Sequence, residues 1–552
     1  MTLADASTNA PGKWWRNAVI YQIYPRSFAD GNGDGMGDLK GVEGRLESLS
    51  ELGVDAIWFS PFMSSPQKDA GYDVSDYTDI DPLFGTLEDF DSVLSKAHDL
   101  GLKVIVDLVP NHSSSEHPLF KAALRAGKGS PERSYYHFAD GKGKDGELPP
   151  NNWQSVFGGP AWTRIDDGQW YLHIFDSSQP DFNWGNPEVE KFFHGVLRFW
   201  LDRGADGFRV DVAHALIKEP GLPDVEELSS SMTGSDSDPK DEKPHPHWGQ
   251  EGVHEIIRGF RKVIDEYDNR AMAAEAWILP LSKMAKWVRQ DEYHQAFNFE
   301  YLATEWEAKR LKEVVDESLF EFGAVGAPST WVLSNHDVIR HVTRLSYKEI
   351  PKQGDGIGPD YPQPDEAKGQ RIGRAASAFM LGLPGSSYLY QGEELGLPEH
   401  TTLESEYRQD PTFFRTKGER VGRDGCRVPI PWEADSPAFG FSETGKSWLP
   451  QPENYRGYSR DRQQGVAGST LELYKRLLSL RKSNALGDGN LEWVESLCTD
   501  STLAYKNNSV LVVANFGPDS LALPEGELLV TTQHDLSIEG VLEHDQVAWI
   551  KL

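Results

Sequence analysis

Short apolar runs alternate with helical stretches along most of this chain, and that alternation constrains its fold more than any other feature. Continuous apolar strands separated by helices predict a parallel sheet covered on both faces, and eight such units predict an α/β fold closed as a (β/α)8 TIM barrel. The eight runs are "AVIYQIYP" from Ala18, "VDAIWFSP" from Val54, "KVIVDLVPNH" from Lys103, "ADGFRVDVAH" from Ala205, "AMAAEAW" from Ala271, "FNFE" from Phe297, "STWVLSNHD" from Ser329 and "SSYLYQGEE" from Ser386.

Three segments interrupt or follow the barrel pattern. Residues 113–185, rich in Gly, Pro, Trp and Asn, predict a small domain inserted after the third strand, so that residues 1–112 and 186–488 form the barrel. Residues 489–552 alternate apolar and polar positions, which predicts a C-terminal antiparallel β-sandwich domain. An acidic, Ser/Pro-rich stretch at 218–250 predicts a mobile surface loop with solvent-exposed His245 and His247.

Charge and composition narrow the class of partner. The net charge of −31 and the pI near 4.9 repel phosphate backbones and anionic lipid, so nucleic acid and membranes are poor partners and a neutral small molecule suits the chain better. Cys426 and Cys498 are too few for a disulfide framework. No apolar run reaches the roughly 20 residues that span a bilayer, and the N-terminus lacks a signal pattern. We therefore expect a cytoplasmic monomer or homodimer.

Three carboxylates stand where catalysis occurs in TIM barrels, at the C-terminal ends of strands. Asp211, Glu275 and Asp337 follow the fourth, fifth and seventh runs. A retaining glycosidase needs one ionised carboxylate as nucleophile and one protonated carboxyl as acid, about 5 Å apart. Arg209 shares a strand face with Asp211 and would keep it ionised.

Two histidines at strand ends complete this constellation. His112 and His336 can donate hydrogen bonds to sugar hydroxyls and to a transition state whose positive charge Asp337 would stabilise. The same carboxylates would also suit a divalent metal, as in enolase-type barrels, although no lysine base accompanies them at a strand end. The residues alone leave both chemistries open, with the glycosidase favoured.

A Gly-rich acidic loop, "DGNGDGMGDL" from Asp30, matches the start of a calcium-binding loop at alternate positions. Gly41 stands where an EF-hand has its bidentate Glu, so the loop is not an EF-hand. The pattern leaves two interpretations open, a calcium or magnesium site and a Gly/Asp loop without a ligand. The candidate ligands are Asp30, Asn32, Asp34, the Met36 carbonyl and Asp38.

Five short motifs resemble the α-amylase family of glycoside hydrolases. They are "DLVPNH" (107–112), "GFRVDVAH" (207–214), "AEAW" (274–277), "VLSNHD" (332–337) and "QPDFNW" (179–184), the last being similar to the α-glucosidase and oligo-1,6-glucosidase branch. The resemblance covers essentially the whole chain and is greatest to actinobacterial α-glucosidases. It implies a (β/α)8 barrel and a structural calcium ion in the loop at 30–38.

The resemblance also implies roles for individual residues. Asp211 would be the nucleophile, Glu275 the general acid/base and Asp337 the transition-state stabiliser. Asp73 would grip the non-reducing glucose and pair with Arg423, Tyr72 would form a stacking floor, and Arg427 would lie toward the leaving group. The remaining substrate-binding residues would be Arg209, His112, His336 and Phe175.

The implied activity is that of an exo-acting, retaining α-glucosidase that releases α-glucose from maltose and short α-glucosides, with transglucosylation as a possible side reaction. In this family a valine after the nucleophile, here Val212, accompanies α-1,6 cleavage, whereas "RDGCRVPIPW" resembles α-1,4-specific members. We favour α-1,4 linkages. The alternatives are an oligo-1,6-glucosidase and a sucrose-acting or isomerising transglucosidase. A non-enzymatic amylase-like subunit is disfavoured, because such subunits carry a membrane helix and lack catalytic carboxylates.

Overall fold

The computed structural model describes residues 13–226, 246–533 and 540–552. Eight short parallel strands form its centre, and all eight are buried, as expected of strands covered on both faces. They confirm the predicted barrel. The strands are β1 Val19–Ile23, β2 Ala56–Phe59, β3 Lys103–Leu108, β4 Gly207–Val210, β5 Ala271–Ala274, β6 Gln295–Ala296, β7 Thr330–Val332 and β8 Ser386–Tyr390.

The strands follow one another around the barrel in chain order. The hydrogen-bonded order runs β6-β5-β4-β3-β2-β1-β8-β7, and a parallel bridge between Phe297 and Thr330 joins β6 to β7 and closes the ring. The sixth strand is shifted from its prediction at "FNFE", because the Asn298 side chain accepts the Tyr301 N–H and caps a helix over Phe299–Ala303. The strand therefore ends before Phe297.

An outer ring of helices covers the strands, and local sequence signals set the helix ends. Asp38 caps the first helix by accepting the Gly41 N–H, and Thr86 forms a capping box with Asp89 at the second. The principal helices are Leu39–Leu52, Leu87–Asp99, Pro187–Arg203, Val253–Ile264, Leu281–Met284, Ala308–Ala324, Glu366–Gly382 and Thr470–Ser483. Short helices occur at His341–Arg344, Pro411–Arg415, Tyr455–Tyr458 and Arg460–Gln463.

The segment at 113–185 builds its own small sheet above the barrel. A helix at Pro118–Ala126 precedes three antiparallel strands, Phe138–Asp140, Trp162–Arg164 and Gln169–Leu172, of which the last is central. A separate apolar cluster packs Trp153, Phe157 and Phe175 of this segment against Val212 and Trp248 of the barrel loops. The insertion therefore forms one wall of whatever site lies at the barrel end.

The C-terminal region forms a five-stranded antiparallel sheet, of which one face packs on the helix Glu366–Gly382. The Trp549 indole donates to the Ala378 carbonyl at 3.1 Å and the Tyr505 hydroxyl to the Phe379 carbonyl at 2.6 Å. A two-stranded sheet, Leu521–Ala522 with Val541–Leu542, lies on the other face. The five strands are Leu491–Trp493, Thr502–Asn507, Val510–Asn515, Glu527–Thr531 and Gln546–Lys551.

The stretch at 218–250 differs from its prediction at both ends. Lys218 and His247 are buried, and the His247 ring packs edge-on against Trp153 at 5.1 Å. The predicted mobile loop falls largely on residues 227–245, His245 included, which lie outside the described residues. Across the part of the chain that is described, no helix has the length and apolarity needed to cross a bilayer.

Candidate active site

A pocket lies at the C-terminal ends of the barrel strands, between the barrel and the inserted segment. It brings together residues from β3, β4, β5 and β7 that are far apart in sequence. Seven of its lining residues are among the predicted site residues, namely Tyr72, His112, Phe175, Asp211, Glu275, Asp337 and Arg423. The others, which the motifs did not single out as site residues, are Asp69, Phe157, Val212, His214 and Trp248.

Asp211 and Glu275 share one buried guanidinium. Arg209 lies 2.5 Å from the Asp211 carboxylate and 3.9 Å from that of Glu275, and its other partner is Asp107 at 3.1 Å. Burial raises the pKa of both Asp211 and Glu275, and a neighbouring negative charge raises each further, that of Glu275 for Asp211 and that of Asp337 for Glu275. Because Arg209 is closer to Asp211, its charge stabilises the ionised form of Asp211 more than that of Glu275.

Asp337 has the opposite electrostatic setting. Its Oδ1 accepts from Arg423 and Arg427, both at 2.9 Å. Burial alone would raise the pKa of this carboxyl, but nearby positive charge outweighs burial and holds the pKa below its ordinary value. Burial also lowers the pKa of His336 well below its usual range, so the two guanidiniums, and not the imidazole, supply that charge at neutral pH. Asp337 is therefore a fixed negative charge in the pocket.

Arg423 pairs with three carboxylates, those of Asp69, Asp337 and Asp410, and Asp73 is not among them. Arg423 lies 2.9 Å from the Asp69 carboxylate, and Asp69 lines the pocket. Asp73 points into its own loop, where it accepts hydrogen bonds from the backbone N–H groups of Lys68 and Asp69 and from the Ser65 hydroxyl at 2.9–3.0 Å. The prediction chose the wrong aspartate, because both flank "AGY" and the motif alone does not say which one faces the cavity.

Three further predicted residues support the pocket from behind or from the side. The Tyr72 ring stacks on His336, with ring centres 5.1 Å apart and planes 2° apart. His336 is fully buried, with Nε2 3.1 Å from the Asp337 carboxylate. Arg427 does not point toward a leaving group, since its guanidinium contacts Asp337 and donates to the His336 carbonyl at 2.8 Å. Any influence of Arg427 on a bound sugar is therefore exerted through Asp337.

Aromatic rings form the wall on the side of the insertion. Phe175 lies beside His112 at 5.1 Å and beside Phe157 at 5.6 Å, and the Arg423 guanidinium lies over the Phe157 ring at 4.9 Å. Near Val212, Trp248 stacks on His214 at 4.5 Å. Of this wall, the sequence predicts only Phe175 as a substrate-binding residue. These rings line the pocket on the side of the insertion.

Val212 adopts a left-handed backbone conformation, with φ 43° and ψ 40°, immediately after Asp211. A β-branched residue rarely adopts positive φ, so this conformation costs on the order of 1–3 kcal/mol. In return, the Val212 N–H points at Glu275 and donates to its Oε2 at 2.6 Å. The strained turn thereby fixes the position of the second carboxyl relative to the first.

The loop at 30–38 holds its acidic residues by a different set of contacts. Asp30 accepts backbone N–H groups of Asn32, Gly33 and Gly35, and Asp38 accepts those of Gly31, Asn32 and Gly41. Asn32 accepts the N–H of Asp34, and Asp34 that of Met36. The oxygen donors suit a hard cation. Within 13–226, 246–533 and 540–552 no three Asp, Glu, His or Cys side chains are grouped as a metal site, and the predicted set also relies on Asn32 and on the Met36 carbonyl.

Comparison with known proteins places the chain in a family. A family model described as the alpha-amylase catalytic domain matches residues 22–489. A probable alpha-glucosidase of Rhizobium meliloti (strain 1021) is 40% identical over 502 residues, which cover 88% of this chain and 85% of that protein. An oligo-1,6-glucosidase of Parageobacillus thermoglucosidasius is 34% identical over 568 residues, covering 94% of each.

Solved structures agree with this relationship. The trehalulose synthase MutB from Pseudomonas mesoacidophila MX-45 superposes with a TM-score of 0.84 at 30% identity, covering 99% of this chain and all of that one. The sequence motifs, the barrel and these similarities lead to one assignment. The chain belongs to the alpha-amylase family of glycoside hydrolases and is an enzyme, as its motifs predicted.

Proposed function

We propose that this enzyme is an exo-acting, retaining α-glucosidase that releases α-glucose from the non-reducing end of maltose and short α-glucosides. The observation that carries the proposal is the shared position of Asp211 and Glu275 around Arg209, in a narrow buried pocket. One ionised and one protonated carboxyl facing the same cavity are what double displacement requires. The aromatic wall supports exo action, because Phe157, Phe175 and Trp248 line the pocket on the side of the insertion, where an extended sugar chain would have to pass.

In the first step the Asp211 carboxylate attacks the anomeric carbon of the terminal glucose while Glu275 donates its proton to the glycosidic oxygen. The bond to the leaving sugar breaks as the bond to Asp211 forms. Glu275, now ionised, then takes a proton from water, whose oxygen attacks the anomeric carbon and frees Asp211. Asp337 stabilises the positive charge that develops on the sugar in both steps. Two inversions give α-glucose.

Asp69 and Arg423 are the proposed ligands of the hydroxyls of the terminal glucose. They form an ion pair at 2.9 Å on the pocket wall, and Gln179 donates to the other Asp69 oxygen at 3.1 Å. An acceptor and a donor held side by side suit neighbouring hydroxyls of one sugar. His112, next to Phe175, is the third proposed ligand, and its Nε2 lies 3.2 Å from the Gln179 nitrogen that donates to Asp69.

The second candidate acts on α-1,6 linkages or on sucrose. It is favoured by Val212, whose side chain lines the pocket directly after the proposed nucleophile, and by relatives named oligo-1,6-glucosidase and trehalulose synthase. Both candidates use the same catalytic residues and differ in the sugar that leaves or accepts.

We retain calcium, or magnesium, at residues 30–38 as a proposal limited to stability. The cytoplasmic location and the monomeric or homodimeric state also stay predictions.

The test is a product profile on equal concentrations of maltose, isomaltose and sucrose, with the anomer of released glucose followed by proton NMR. We expect maltose to be cleaved fastest and α-glucose to appear first. Faster cleavage of isomaltose, or isomerised products from sucrose, would establish the second candidate. Initial release of β-glucose would refute double displacement by Asp211.

A further inference from the structure

A fully buried lysine lies where the barrel and the insertion meet beside the pocket. Lys218, in the loop after β4, has 1% of its side chain exposed and lies 2.8 Å from the Asp181 carboxylate of the insertion. Its ammonium group also donates to Asn111 Oδ1 at 2.9 Å and to the Ala215 carbonyl. The proposed mechanism uses none of these groups. A buried ammonium with fixed partners at this position therefore needs its own explanation.

The lysine decides which way the neighbouring amide faces. An ammonium group only donates hydrogen bonds, so the atom of Asn111 that faces Lys218 is the amide oxygen. The Asn111 NH2 group then faces the next residue and lies 3.1 Å from His112 Nδ1. Because an NH2 group donates, His112 Nδ1 has to accept. The orientation of one amide thus depends on the charge of Lys218.

His112 has two possible tautomers, and its other neighbours do not choose between them. Burial lowers the pKa of His112 to about 4, so the ring is neutral at pH 7 and carries one proton. Nε2 lies 3.2 Å from the Tyr72 carbonyl, which would accept from a protonated Nε2, and 3.2 Å from Gln179 Nε2, which would donate to a bare one, so the two contacts favour opposite tautomers. The contact at Nδ1 is therefore the one that settles the tautomer.

We propose that Lys218 is a positioning residue for the sugar-binding histidine. Through Asn111 it holds the proton of His112 on Nε2, the nitrogen on the side of the ring that lies nearer Tyr72 and Gln179. In that tautomer the Nε2–H that faces the Tyr72 carbonyl at 3.2 Å is the donor that a sugar hydroxyl entering the pocket shares. In the other tautomer the same position offers an acceptor facing the Tyr72 carbonyl. The consequence for sugar binding rests on the proposed function, whereas the tautomer itself does not.

Two variants separate this role from simple structural support. Lys218→Met removes the ammonium and lets the Asn111 amide turn. Asn111→Asp keeps a partner for Lys218 but replaces the NH2 group by a carboxylate oxygen, which can only accept, so it should move the histidine proton to Nδ1. Lys142→Met, which breaks an exposed ion pair with Asp224 at 2.7 Å, is the matched control.

The direct readout is the 15N NMR spectrum of histidine-labelled protein at pH 7, because protonated and bare ring nitrogens have distinct shifts and neither requires substrate. The His112 signals are identified by their loss in His112→Asn. We expect Nε2–H in the wild type and in Lys142→Met, Nδ1–H in Asn111→Asp and a mixture of both in Lys218→Met. A wild-type Nδ1–H signal, or Nε2–H retained in Asn111→Asp, would overturn the proposal.

The second readout is steady-state cleavage of maltose, or of isomaltose if that is the better substrate. Loss of one hydrogen bond to the sugar should raise KM roughly 10-fold in Asn111→Asp and Lys218→Met, with a smaller change in kcat. Lys142→Met should stay within about 2-fold of the wild type, since it leaves every pocket contact intact. If neither sugar is cleaved by the wild type, the proposed function fails while the NMR result still decides the tautomer. Unchanged KM in Asn111→Asp, despite a switched tautomer, would refute the link to binding.

Discussion

The catalytic pocket and the loop at 30–38 both concentrate acidic side chains in a few residues, yet they use them in different ways. In the loop, Asp30 and Asp38 each accept three backbone N–H groups from their own segment. In the pocket, Asp211, Glu275 and Asp337 face guanidinium groups and one another across different strands. A carboxylate that accepts several amides of its own segment holds that loop in shape, whereas one that faces guanidinium groups and other carboxylates across the pocket can take part in chemistry.

Asp69 and Asp73 repeat this difference within one turn. Asp73 accepts from its own loop, and Asp69 meets Arg423 and Gln179 in the pocket. Burial raises the pKa of Asp69 to about 7, a direction that Arg423 opposes but does not reverse. The comparison teaches that hydrogen-bond partners, and not residue type or position in a motif, separate structural from functional carboxylates. Four experiments test this rule, ordered here by expected effect on turnover.

The largest effect is expected for Glu275→Gln, which removes the proposed proton donor. Activity on maltose should fall about 10³-fold or more, because general acid–base catalysis contributes up to roughly 10⁴-fold. Burial raises the pKa of Glu275, so the ionised form lowers stability above the unfolded pKa of about 4.3, and a neutral amide should leave Tm at pH 7.5 unchanged or higher. Glu313→Gln, on an exposed ion pair with Arg310, is the control. Retained activity in Glu275→Gln would refute its role.

The second experiment compares Asp69→Asn with Asp73→Asn. Asp69→Asn should lower kcat/KM about 100-fold through loss of a charged hydrogen bond to sugar, with little loss of stability. Asp73→Asn places an NH2 group among N–H and O–H donors and should lower the unfolding free energy by about 1–3 kcal/mol, with a smaller loss of kcat/KM. Kinetics and thermal unfolding of both variants give the answer. The reverse pattern would show that the assignment of the two aspartates is wrong.

The third experiment is the pH profile of kcat/KM. The shared buried position of Asp211 and Glu275 predicts a bell, with an acid limb from loss of the ionised nucleophile and a basic limb from loss of the Glu275 proton. Because burial raises the pKa of both carboxyls, both limbs should lie at higher pH than for free carboxyls. The profile should keep its basic limb in Asp73→Asn. A flat profile from pH 5 to 9 would be incompatible with a proton held on this pair.

The smallest effect on turnover is expected in the loop at 30–38. Asp30→Ala removes the acceptor of three N–H groups and should lower Tm while leaving kcat within about 2-fold of the wild type. Dialysis against a chelator, followed by calcium addition, tests the proposed ion. A rise in Tm with calcium would support the site, since a bound ion stabilises by RT ln(1 + [L]/Kd). A loss of kcat on chelation would show that the loop at 30–38 contributes to turnover as the catalytic pocket does, contrary to the comparison above.

The catalytic carboxylates could be predicted from the sequence because they sit at fixed offsets from short apolar strands. Asp211 follows "GFRV", and the ends of parallel strands have to meet at one edge of a barrel. The pocket wall could not be predicted in the same way. Trp248 and Phe157 come from loops of irregular sequence, and packing against the insertion, rather than any local pattern, brings them to the pocket.

By itself, the sequence determined the barrel, its helices and the residues at the strand ends, since hydrophobic periodicity and capping act over neighbouring residues. The tertiary structure decided what depends on distant partners. It selected Asp69 over Asp73, placed Arg427 behind Asp337, buried Lys218 and His247, and ended the sixth strand before Phe297. Each of these outcomes follows from which groups the folded chain brings within hydrogen-bonding distance, and a local pattern carries no information about that.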